Sequence, residues 1–124
     1  MMISLFLASL LSVAQPSDQA ESRAQDQSPV RLTSENRAVI RCSAAFAIVG
    51  ARQVRDGDKS QWPEIGTRGR EFFVVAMAGM MDEHALGREQ ITKLVRDEAI
   101  RLNEAKEVDT VMPACLLMLQ SSGI

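Results

Sequence analysis

Between Ser34 and Ile124 the apolar residues recur at a helical spacing, and the breaks between runs fall at residues that stop or cap helices. Val39, Cys42, Phe46 and Val49 lie on one stripe at 100° per residue, so ENRAVIRCSAAFAIVGARQV predicts a first helix. Ser34 is its expected N-cap, and Asp56-Gly57-Asp58 its stop. A loop over Lys59 to Ile65 follows, with Pro63 suited to the first position of a second helix that reaches about Glu83. The third helix, Arg88 to Ala105, has the cleanest pattern. Ile91, Leu94, Val95 and Leu102 form its inner stripe, while Arg88, Lys93, Arg96, Asp97, Arg101 and Glu104 face water. Two residues break that pattern: Ile100 falls on the polar face, and Glu98 falls on the apolar stripe, as a carboxylate at the margin paired with an arginine would.

The last run, TVMPACLLMLQ, predicts a fourth helix capped by Thr110, with Pro113 in its third position and Gly123 just past its end. Leu116, Leu117, Met118 and Leu119 leave it no polar face. It is expected at the centre of the bundle, the alternative being half of a dimer interface. The fold class expected is all-α, a small bundle of about four helices over residues 34–124.

The N-terminus reads differently. Ile3 to Leu11 is an apolar run, and Ser12-Val13-Ala14 puts small residues where an export cleavage site needs them, so residues 1–14 are expected to be a signal peptide cut after Ala14. No Lys or Arg precedes the run, and a retained anchor is the competing reading. The run is too short to span ~30 Å of hydrocarbon as a helix. Residues 15–33, rich in Gln, Ser, Asp and Pro, are expected to be a disordered polar linker. The protein is thus expected to be periplasmic or secreted, with no stable membrane insertion after cleavage.

The 14 basic and 16 acidic residues leave a net charge of -2, so no global field draws nucleic acid or an anionic membrane. Arg68 and Arg70 stand beside Phe72 and Phe73, but Glu64 and Glu71 neutralise that patch, and nucleic acid is not an expected partner. With four Phe, one Trp and no Tyr, the interior must rest on alanine, leucine and methionine.

Cys42 in the first helix and Cys115 in the last form an even pair in a chain expected to reach an oxidising compartment, which makes a disulfide the default. The alternative is a reactive thiol working with His84, which the apolar surroundings of both cysteines disfavour.

The stretch MAGMMDEH concentrates candidate ligands: Met77, Met80, Met81 and His84 lie within one helical arc of about 100°. Thioethers and imidazole suit Cu(I), and these four residues are the candidate metal ligands. The same arc contains Phe73 and Ala76, while Arg68, Glu71 and Asp82 lie opposite, so a core face accounts for the methionines without a metal. No cofactor is expected.

CSAAF at Cys42, RGREFF at Arg68 and MPACL at Met112 resemble segments of small exported helical proteins of proteobacteria, over about Ser34 to Ile124. The resemblance implies an exported helical domain with one cysteine pair and carries no catalytic or binding residue over. A looser similarity, of architecture only, is to periplasmic acid-stress chaperones of the HdeA type.

No phosphate loop, CxxC pair, CxxCH, HExxH or serine-centred elbow occurs, and no catalytic residue is assigned. The expected function is that of a non-enzymatic exported protein acting through contact with an unknown protein partner or by self-association, as a structural or stress-related envelope component. The alternatives are a periplasmic Cu(I)-binding module and an acid-stress chaperone.

Overall fold

A computed structural model describes residues 31–57 and 61–124. The expected signal peptide, the linker up to residue 30 and the start of the first loop lie outside the described residues. Four helices and no strand occur among the described residues: α1 Ser34–Asp56, α2 Gly66–His84, α3 Arg88–Ala105 and α4 Val108–Ser121.

The start of α1 is set by a reciprocal cap. Thr33 Oγ1 accepts the Asn36 N–H at 3.0 Å, and Asn36 Oδ1 accepts the Thr33 N–H at 3.2 Å. The cap is therefore Thr33 and not the expected Ser34, because only Thr33 has an amide side chain three residues on. Gly57, at φ 65°, closes the helix in a conformation that favours glycine.

Pro63 does not begin α2. The Gln53 side chain donates to the carbonyls of Trp62 and Pro63 at 3.2 and 2.8 Å and accepts the Ile65 N–H at 3.0 Å. This clamp holds the segment from Trp62 to Ile65 against α1 and delays the helix to Gly66. The third helix has the expected bounds, with Ile91 and Leu102 buried and Leu94 and Val95 half-buried. Its turn into α4 passes through Lys106 at φ 56°.

The fourth helix starts at Val108 with Glu107 as its cap, three residues before the expected cap Thr110. Val108 is buried, and its seat in the core draws the turn into the helix. Pro113 is consequently inside α4, where it can donate no N–H to the Asp109 carbonyl.

The central helix is α1, not α4. It packs against all three others, whereas α4 turns Pro113, Ala114 and Leu117, the last 65% exposed, to solvent. The main core joins Cys42, Ala44, Ala45, Phe46 and Val49 of α1 to Ile65, Phe72, Leu102, Val108, Met112, Cys115 and Leu119. Phe46 and Phe72 meet edge to face, with centroids 5.4 Å apart. Beside them a Cβ on Gly69 would sit 3.1 Å from Phe46 Cβ, so α1 and α2 cross where only glycine fits without adjustment.

Cys42 and Cys115 form a disulfide with their Cα atoms 5.1 Å apart. It closes a loop across 73 residues of sequence. In the chain-entropy account a loop of that length contributes roughly 4 to 5 kcal/mol, against a modest core.

Candidate functional site

The end of α2 carries the four candidate ligands, and the fold divides them. Met77 and Met80 are buried, while Met81 and His84 are half-buried. The imidazole of His84 is engaged: its Nε2 lies 2.7 Å from Asn36 Oδ1 and 3.6 Å from Glu83 Oε1. Asn36 Oδ1 is already oriented as an acceptor by the Thr33 N–H, so Nε2 carries the hydrogen and donates. A metal at His84 would have to use Nδ1 or break a bond that ties the start of α1 to the end of α2. Among the described residues no three of His, Cys, Asp and Glu are grouped to hold a metal ion.

Two polar clusters lie elsewhere. Glu98 is at the margin of α3 as expected. It accepts two hydrogen bonds from Arg101, Nε to Oε2 at 3.0 Å and Nη2 to Oε1 at 2.7 Å, and Arg41 of α1 approaches it at 3.6 Å. Arg101 also reaches Glu107 at 3.1 Å, joining α3 to the residue that precedes α4. Its guanidinium is held more firmly protonated than usual by the hydrogen bond to Glu98 and then by that to Glu107.

The second cluster centres on Asp109 in the first turn of α4. Trp62 Nε1 donates to its Oδ1 at 2.8 Å, and Arg52 Nη1 reaches both carboxylate oxygens at 3.4 Å. The Trp62 hydrogen bond, with support from Gln61 and Arg52, holds the Asp109 carboxyl below its ordinary value. These contacts join α1, the first loop and α4. Both clusters bind helix to helix, and neither assembles a nucleophile with a base.

The outer face of α2 is different in kind. Glu71, Val74, Val75, Ala78, Gly79 and Asp82 follow the helical repeat and all are exposed. Val74 and Val75 are 58% and 59% exposed, and no charge lies between Glu71 and Asp82 on this stripe. Since Phe72, Met77 and Met80 occupy the inner side, α2 is apolar on two faces. Sequence reasoning missed this stripe, although the spacing of VV and AG four residues apart was its signal.

Comparison with known protein families, curated proteins and solved structures finds no match to this chain.

Proposed function

We propose that this is an exported, non-catalytic helical module that acts through contact with another protein, using the outer face of α2. The observation that carries the reading is the uncharged stripe Val74, Val75, Ala78 and Gly79, displayed to water on a helix whose other face is already packed. A helix apolar on both sides has one apolar face more than its own fold requires, and exposed apolar patches of this kind mark contact sites. The small residues Ala78 and Gly79 let a facing backbone approach closely, and a Cβ built on Gly79 meets nothing within 4 Å.

Export is supported by the disulfide, which suits an oxidising compartment, and by the apolar run ahead of Ser12-Val13-Ala14. Among the described residues no helix is long and apolar enough to cross a membrane. A photoreactive residue in place of Val75, expressed in the native cell, tests the contact. One discrete crosslinked species, lost when Ala78→Lys is added and absent when the label replaces Lys93, is expected. No crosslink at Val75, or equal labelling at Lys93, contradicts the reading.

A further inference from the structure

On the other side of α2 a groove of about 420 Å³ opens against α1. It exists because its lining is short of side chains. Gly50, Gly66 and Gly69 contribute none, and Ala47 and Ala51 contribute one carbon each. Phe46 and Phe73 supply aromatic surface, and Val54, 86% exposed, marks the end nearest the first loop. The lining is thus apolar apart from two side chains.

Those two polar groups define the chemistry. Arg70 has neither an ion pair nor a hydrogen bond among the described residues, although the guanidinium is the side chain best fitted to a carboxylate. Ser43, 1% exposed, lines the same groove, and its Oγ lacks a hydrogen-bond partner among the described residues. A buried hydroxyl without a partner is unfavourable until an oxygen or nitrogen reaches it, so its place in the groove calls for an explanation.

We infer that this groove binds a single-chain amphiphile with an anionic head, of the class of a long-chain carboxylate. The head pairs with Arg70, the Ser43 hydroxyl is the further polar group within the lining, and the alkyl chain lies over Phe46, Ala47 and Ala51 toward Val54. The volume of about 420 Å³ falls in the range of small-ligand sites. The site is separate from the outer face of α2, so either assignment stands or falls without the other.

Trp62, the only tryptophan of the chain, lines the adjoining cavity with Gly50, Val54 and Gly66, so its emission reports on the groove. Dodecanoate, added to the oxidised protein below its micellar concentration, is expected to shift that emission and saturate at one per chain. Dodecyltrimethylammonium should bind at least about tenfold more weakly, since its charge opposes Arg70. Arg70→Gln should weaken dodecanoate alone by about the same factor, and Ala47→Phe should fill the groove and abolish binding. Ala51→Phe replaces Ala47→Phe if the latter loses its helical circular dichroism. Equal binding of both detergents, or unchanged binding in Arg70→Gln and in the filled variant, overturns the inference. So does a response confined to phosphatidylglycerol vesicles, which assigns the face to a bilayer, or a ligand-free shift with protein concentration, which assigns it to a second copy.

Discussion

His84 Nε2 and Asn36 Oδ1 lie 2.7 Å apart, and the same oxygen closes the cap of α1 through the Thr33 N–H. One amide oxygen therefore ends two helices, fixing the first turn of α1 and the last residue of α2. Asn36 is buried, so removing it leaves the imidazole N–H without its acceptor as well as opening the cap. Asn36→Ala should cost about 1 to 3 kcal/mol in denaturant unfolding, and more than Ser34→Ala, which touches neither bond. Equal effects of the two substitutions would show that the shared oxygen does not hold the helices.

Met77 and Met80 are buried, and volume-conserving replacement should be tolerated where truncation is not. Leucine at either position should cost less than about 1.5 kcal/mol and alanine about 2 to 5 kcal/mol. Competition against a Cu(I) chelator should leave no copper on the protein, because His84 is committed to Asn36. One copper retained per chain, and lost in the double leucine variant, would assign these residues to a metal site.

The glycines of α2 should respond in opposite directions. Gly79 has open space around a built Cβ, so Gly79→Ala should raise stability by about 0.5 to 1 kcal/mol through helix propensity. Gly69→Ala gains the same propensity but presses on Phe46 Cβ, which the α1 backbone holds, and should be net destabilising. Unfolding of the two variants side by side checks the crossing of α1 and α2, and a stabilised Gly69→Ala would contradict the packing described.

Asp109 makes the fold sensitive to acid. Its carboxyl is held below the ordinary value in the folded chain, chiefly by Trp62, so its contribution is present above the unfolded carboxylate range and is lost as pH falls through the folded value. The difference in stability between the native protein and Asp109→Asn should therefore be full near pH 7 and shrink below about pH 4. A difference that stays constant from pH 7 to pH 3 would show that the Trp62 and Arg52 contacts do not depend on the charge.

Local signals were legible and tertiary ones were not. The third helix has the expected bounds because each of its turns repeats the same inner and outer choice, and the Cys42–Cys115 pairing followed from an even count. The entry to α2 was misplaced because Gln53, far back on α1, decides it, and the start of α4 was misplaced because Val108 is recruited by the core. The choice of Thr33 over Ser34 is the exception, a local signal that the expectation passed over: only Thr33 has an amide side chain, that of Asn36, three residues on. Likewise, Leu116 to Leu119 suggested a central helix, yet an apolar helix can also lie at the edge with Leu117 in water.

The proposed module is a stapled domain working outside the cytoplasm, and the intact mass of the protein isolated from its native cell fraction tests this most directly. The expected species begins at Gln15 and weighs about 2 Da less than its reduced form, as one Cys42–Cys115 bond requires. A cytoplasmic species that still carries Met1 to Ala14 and has both thiols free would contradict it.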